Sequence, residues 1–95
     1  MKQFKETLNT AVFTTQFVIK DKKPITYVNH EMEDGAWQFF SADNFENFED
    51  VVLVVGLGEL ISIDESILDI ADLPLGFSAS RQSINDDWIV SKISN

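Results

Sequence analysis

The chain has 95 residues, 44% of them hydrophobic, and a formal net charge of −9. This length predicts a single domain over residues 1–95, and the apolar content is too high for a disordered acidic chain. The negative charge argues against nucleic acid or an anionic membrane as partner, and the lack of cysteine excludes disulfides, thiolate catalysis and Cys-ligated metals.

The first half of the chain has the side-chain alternation of a β-sheet. Residues 1–10 are compatible with a short helix or an extended lead-in. Residues 11–20, 25–32 and 37–41 then alternate in the manner of strands. Turn signals separate them, and Asp34-Gly35 is a strong hairpin signal. These patterns predict a three-stranded antiparallel meander.

Tight turns in this meander would set its register. They would place Phe17 opposite Val28, and His30 opposite both Thr15 and Phe39. Because side chains alternate with a period of two, one face would form the core. That predicted core face contains Phe13, Thr15, Phe17, Ile19, Val28, His30, Met32, Trp37 and Phe39.

The second half mixes strand and helix signals. Val51–Val55 is a continuous β-branched and aliphatic run, which predicts a strand buried on both faces. A short helix is expected over 57–61, and Ser62 with Glu65 fits a capping box for a helix that ends near Pro74. Residues 75–80 and 88–93 are expected strands. The predicted fold class is therefore α+β, an antiparallel meander sheet of five or six strands with one or two short helices packed on one face.

Charge is distributed very unevenly along the chain. Between Pro24 and Ser80 there are twelve carboxylates and no Lys or Arg. Such a field favours a basic protein as partner, although solubility alone is a sufficient explanation. The acids without a local structural explanation are concentrated in residues 31–50, with two phenylalanines as candidate anchors. The candidate partner-binding residues are Glu31, Glu33, Asp34, Asp43, Phe45, Glu46, Phe48, Glu49 and Asp50.

A second set of residues suggests a pocket. His30 is the only histidine, and we expect a structural histidine bonded to the Thr15 hydroxyl or to a backbone group. Arg81 stands beside so many acids that we expect an ion pair with Asp86, Asp87 or a helix acid. The alternative function is a small-ligand-binding or weakly catalytic domain with a pocket near His30, Trp37 and Arg81.

Catalytic signatures are weak throughout. The acids of residues 31–34 do not have the spacing of a calcium-binding loop, and a lone histidine offers little for zinc. Gly56 and Gly58 lack the third glycine of a dinucleotide-binding loop, and no serine occupies a nucleophile elbow. We therefore expect no catalytic residue, no metal and no cofactor. No apolar signal segment or membrane-length run is evident, so a cytoplasmic non-enzymatic protein is expected. The oligomeric state stays open.

The pattern of residues over 11–90 resembles a family of small bacterial proteins of unknown function. The residues that carry this resemblance are Phe13-Thr14-Thr15, Pro24-Ile25, Val28, His30, Asp34-Gly35, Trp37-Gln38-Phe39, Leu57-Gly58-Glu59, Asp64, Ser66, Ala71-Asp72-Leu73-Pro74, Gly76, Ala79, Arg81 and Trp88. The resemblance implies a bacterial cytoplasmic α+β domain and supplies no catalytic residues. The chain is more distantly similar to small domains of unknown function that are grouped with bacterial immunity proteins, which neutralise toxins by binding them.

Overall fold

The structure is a computed structural model, and it describes residues 2–93. Its strands in this range are β1 (Ala11–Thr15), β2 (Tyr27–His30), β3 (Trp37–Phe40), β4 (Val52–Gly56), β5 (Phe77–Ser80) and β6 (Ile89–Lys92). They form one mixed sheet in the order β4-β1-β3-β2-β5-β6. The predicted α+β class is confirmed.

Short helical segments connect these strands. They are α1 (Gln16–Ile19), α2 (Phe48–Val51), α3 (Leu57–Ile63) and a 3-10 helix (Glu65–Ile70). None of the helices within residues 2–93 has the length and apolar character needed to cross a membrane.

The predicted meander is wrong at its first strand. β1 ends at Thr15, and it pairs parallel with β3 and antiparallel with β4 rather than with β2. The chain turns into α1 at Gln16, and this helix places Val18 in the core with no exposed surface. Burial of Val18 therefore overrides the strand preference of residues 16–20, as tertiary packing often does.

The predicted hairpin between β2 and β3 is present, with a register two residues away from the predicted one. His30 lies opposite Trp37, and Val28 lies opposite Phe39. A shift of two residues leaves Val28, His30, Trp37 and Phe39 on their predicted face, because side chains alternate with a period of two. The prediction is wrong for Met32, which falls in the loop and is 60% exposed.

The hairpin loop explains the shift. The Glu31 N–H donates to the Ala36 carbonyl (2.9 Å), which leaves four loop residues rather than two. Asp34 accepts a hydrogen bond from the Ala36 N–H (3.0 Å), and Gly35 adopts a φ of 71°. The Asp-Gly signal thus marks the correct turn, but in a longer loop than the predicted one.

The helices α3 and 3-10 share one core with one face of the sheet. That core is formed by Val12, Val18, Ile25, Val28, Trp37, Phe39, Leu57, Leu60, Ile67, Ile70, Leu73 and Ala79. The predicted capping box is wrong, since α3 continues through Ser62. The 3-10 helix is capped by Asp64 instead, whose side chain accepts a hydrogen bond from the Ser66 N–H (3.0 Å).

The β-branched run is a strand, but it is not buried on both faces. β4 has β1 as its strand neighbour and forms one edge of the sheet. Val54 is 60% exposed. The prediction of a doubly buried strand is therefore wrong, because the run of apolar residues in β4 lies at an edge rather than at the centre.

Candidate functional site

The acids of the candidate partner-binding set lie at opposite ends of β3. Glu31, Glu33 and Asp34 belong to the hairpin that precedes the strand, whereas the others belong to the loop of residues 41–50 that follows it. Four strand residues separate the two groups by about 13 Å. The set is therefore two surfaces, and only the second contains the aromatic anchors.

A cluster of three phenylalanines organises the second surface. Phe45 and Phe48 both lie against Phe40 of β3, with ring centroids 6.1 Å and 5.4 Å away, and they lie 6.0 Å from each other. Phe40 also contacts Tyr27 of β2 at 6.1 Å. Because Phe45 stays 37% exposed, the loop is anchored to the sheet while part of an aromatic face remains open to solvent.

Acids surround these rings. Asp43 accepts a hydrogen bond from the Ser41 hydroxyl (2.7 Å), and Asp50 accepts one from the Asn47 amide (3.4 Å). Glu46 and Glu49 are exposed. Within residues 2–93 the ion pairs are Lys2–Asp72 and Arg81–Asp64, so no acid of this loop is in an ion pair. We call Phe40, Phe45, Phe48, Asp43, Glu46, Glu49 and Asp50 the aromatic-acidic patch.

The hairpin acids have a different setting. Asp34 holds the turn through its hydrogen bond to the Ala36 N–H, as its turn position predicts. Glu33 is exposed and Glu31 is half-buried, beside the exposed Met32. The first surface thus has one structural acid and two others, and the indole of Trp37 at the base of this hairpin is buried rather than exposed.

A cavity of about 540 Å³ lies next to this hairpin. Its floor is the stack of His30 on Trp37, with ring centroids 3.9 Å apart and planes 15° from parallel. The predicted backbone partner of the histidine is confirmed, since His30 Nδ1 lies 2.7 Å from the Leu73 carbonyl. A carbonyl only accepts, so Nδ1 carries the proton and Nε2 is the nitrogen left for another partner.

The N-terminal lead-in closes one side of the cavity. Phe4 packs edge-on against Trp37 (5.0 Å), and Glu6 accepts a hydrogen bond from the Trp37 indole N–H (3.0 Å). The remaining lining is Lys5, Gly35 and residues 71–75. Lys5 is positively charged, whereas Glu6 and Asp72 are negatively charged, so the cavity opening does not carry charge of a single sign.

Arg81 does not line this cavity. It follows β5 and is level with Thr26, whose carbonyl accepts its backbone N–H (3.0 Å). Thr26 precedes His30 by four residues along β2, a distance of about 13 Å. The structure therefore brings His30 and Trp37 together and places Arg81 elsewhere.

The Arg81 side chain is buried and every N–H of its guanidinium is used. Nη2 forms an ion pair with Asp64 (2.7 Å), the helix acid among the predicted partners, and Nε and Nη2 both donate to the Ile25 carbonyl. Nη1 donates to the Ser66 hydroxyl (2.8 Å) and to the Ile84 carbonyl (3.3 Å). The guanidinium has no N–H left for an external anion.

Trp88 covers this network. Arg81 Cζ lies 4.0 Å from the centre of the Trp88 ring, a cation–π geometry. The Trp88 indole N–H also points to the Ser66 carbonyl (3.4 Å). The arginine thus joins the strand β5, the 3-10 helix and the loops before β2 and after β5.

No group of three His, Asp or Glu side chains in the described part of the chain comes together to hold a metal ion. Two contacts of the site gave no sequence signal. Glu6 meets Trp37 across 31 positions of the chain, and His30 meets Leu73 across 43. The aromatic platform at Phe40 was accessible to sequence reasoning, because Phe40, Phe45 and Phe48 are close in the chain.

Comparison of the chain with protein-family models, curated protein sequences and solved structures gives no match.

Proposed function

We propose that this chain is a small, non-enzymatic, cytoplasmic binding protein that engages a basic protein through the aromatic-acidic patch, in the manner of an immunity or inhibitor protein. The observation that supports it best is the combination of an open aromatic face with acids that form no ion pair within residues 2–93. Exposed aromatic anchors contribute most of the energy at many protein interfaces. A field of one sign speeds association with a partner of the opposite sign.

The patch also meets a practical requirement for binding, which is rigidity. Phe45 and Phe48 are held on Phe40 of the sheet by direct ring contacts. An anchor that is already ordered loses little conformational freedom on binding. The hairpin acids lack such an anchor, so the proposal places the interface at the loop of residues 41–50 and leaves Glu31, Glu33 and Asp34 outside it.

The proposal is tested by capture and then by affinity measurement. The immobilised chain is exposed to extract of its source cell at low ionic strength, and retained proteins are identified and purified. The affinity of a retained basic protein is then measured for wild type, for Phe45→Ala, and for the double variant Glu46→Gln/Glu49→Gln. We expect both variants to weaken binding by roughly tenfold, and the double variant to reduce its salt dependence.

The hairpin provides a control with the same change in charge. Glu31→Gln/Glu33→Gln removes two carboxylates at the opposite end of β3, and its affinity should stay within about twofold of wild type. Retention of no basic protein at low salt contradicts the proposal. Equal weakening by the hairpin and loop variants contradicts the placement of the interface.

The cavity at His30 supports a second candidate function, the binding of a small ligand. The specific observation is that the Leu73 carbonyl orients the His30 ring against Trp37 and leaves Nε2 without a protein hydrogen bond in residues 2–93. A histidine held in this way is suited to bind or to exchange a proton with a ligand.

The second candidate is tested by NMR of the imidazole. Acetate and inorganic phosphate are added separately while the ring resonances of His30 are recorded, with Trp37→Phe as the variant that loses the indole and its bond to Glu6. Saturable shifts in wild type that diminish in the variant support a pocket. Ring resonances that do not respond to either anion indicate a purely structural histidine.

A further inference from the structure

The edge strand β4 directs part of its backbone into open space. The Leu57 N–H donates to the Thr10 carbonyl (2.9 Å), which continues the β1–β4 ladder beyond the pair Ala11–Gly56. In an antiparallel ladder, alternate residues turn their N–H and C=O groups toward the neighbouring strand. Leu53 and Val55 therefore face β1, while the N–H and C=O of Val54 and the N–H of Gly56 face outward.

These outward groups have no hydrogen-bond partner within residues 2–93. No turn or loop within residues 2–93 forms a backbone hydrogen bond to Val54 or to the Gly56 N–H. The strand also lacks the usual protection of an edge, since its sequence, Val-Leu-Val-Val-Gly, has neither charge nor proline. Such an edge is a template for the addition of another strand.

The surroundings of β4 indicate what that strand would be. On the face opposite the helices, Phe13 lies beside the exposed Val54 and presents an apolar surface. Glu49 and Asp50 precede β4, and Glu59 follows it, all exposed. A complementary segment is therefore extended and apolar at its centre, with Lys or Arg at its ends.

We propose that β4 binds an extended, basic-flanked segment of the protein partner, which adds to the sheet as a seventh strand. This inference rests on the proposed function, because the aromatic-acidic patch lies at the start of the same strand. It goes further by naming the main-chain groups that bind and the form of the segment that is bound.

A second copy of this chain is a poorer occupant of the edge. Antiparallel self-pairing centred on Val54 would bring Glu49 and Asp50 of α2 in one copy close to Glu59 of α3 in the other. These carboxylates flank the paired strands and would repel each other across the interface. Each chain also carries a formal net charge of −9, so the two copies repel each other.

The experiment uses a synthetic peptide of alternating valine and threonine with two lysines at each end. Its affinity is measured for wild type and for Val54→Pro. Proline lacks an N–H, and that of Val54 is not used in the β1 ladder, so the substitution removes an outward donor and blocks a new strand. We expect the affinity of Val54→Pro to fall by at least roughly tenfold.

The other edge of the sheet offers a matched control. The Ile93 N–H donates to the Gly76 carbonyl (2.8 Å), so the same alternation turns the backbone of Val90 outward from β6. Val90→Pro is thus the same substitution at an equivalent edge position. Acids precede β6, at Asp86 and Asp87, but its other end carries Lys92, so β6 is not flanked by acids at both ends as β4 is. We expect it to bind the peptide as wild type does.

Circular dichroism reports whether Val54→Pro folds. If it does not fold, a direct measurement on wild type still tests the proposal. Amide hydrogen exchange is followed by NMR with and without the peptide. We expect exchange at Val54 and Gly56 to slow in the complex, and exchange at Val90 to stay unchanged. Unchanged exchange at Val54 in the complex, or no peptide binding at low salt, overturns the proposal.

The remaining outcomes separate this inference from the proposed function. If Val54→Pro binds the peptide as wild type does while Glu46→Gln/Glu49→Gln binds it weakly, strand addition is wrong and the proposed function stands. If Glu46→Gln/Glu49→Gln also binds the peptide as wild type does, strand addition and the proposed function are both wrong. Wild type that sediments as a dimer, with Val54→Pro a monomer, overturns the basic segment as the occupant and assigns the edge to a second copy.

Discussion

The two charged regions of this protein, the Arg81–Asp64 pair and the aromatic-acidic patch, lie in opposite surroundings. The side chains of Arg81 and Asp64 are 1% and 6% exposed, and each guanidinium N–H has an acceptor. Glu46 and Glu49 are exposed, and neither forms an ion pair within residues 2–93. A carboxylate therefore stabilises the fold in the first region, whereas the carboxylates of the second region are free to contact a partner.

The difference teaches where charge contributes to stability and where it does not. A buried ion pair is costly to desolvate, so removing one partner leaves a charge without compensation. An exposed carboxylate is hydrated and screened by salt, so its removal changes stability little. The sequence predicts an ion pair of Arg81 with Asp86, Asp87 or a helix acid, and the structure identifies that partner as Asp64 and buries the pair.

The largest expected effect comes from breaking the buried pair. Arg81→Met leaves Asp64 buried without its cation, and we expect the free energy of unfolding to fall by about 3–5 kcal/mol. Urea denaturation monitored by fluorescence measures this loss. The double variant Arg81→Met/Asp64→Leu should recover part of it. A double variant less stable than the single one contradicts the view that the uncompensated carboxylate causes the loss.

A smaller effect is expected from the ring that covers the pair. Trp88→Leu keeps an apolar side chain but removes the cation–π contact at 4.0 Å, so stability should fall by about 1–2 kcal/mol. In the Arg81→Met background the same substitution should cost less, since the cation is absent. Equal costs in the two backgrounds, measured in a double-mutant cycle, show that Trp88 acts through packing alone.

The smallest effect on stability is expected at the patch. Glu46→Gln/Glu49→Gln should change the free energy of unfolding by less than about 0.5 kcal/mol, because both side chains are exposed. Raising the salt concentration to about 1 M, where the Debye length is about 3 Å, should abolish binding of the lysine-flanked peptide. The stability difference between wild type and Arg81→Met should persist at that salt. Loss of that difference contradicts the contrast between the two regions.

Local patterns predicted much of the secondary structure. The strands over residues 27–30, 37–40, 77–80 and 89–92 and the short helix after Gly56 follow alternation, turn residues and run lengths that are visible in the sequence. The aromatic cluster of the loop was also within reach, because Phe45 and Phe48 are near neighbours of Phe40 in the chain. Each of these features depends on interactions between residues close together in sequence.

Only the tertiary structure decided how these elements meet. The burial of Val18 turns residues 16–19 into a helix, and that turn sends β1 to β3 and β4 instead of β2. The same topology places β4 at an edge and Arg81 away from His30. The sequence by itself determined the α+β class and the one-sided charge, since composition and periodicity are local properties. The open edge and the separation of Arg81 from His30 depend on long-range strand pairing, which no short segment of the chain encodes.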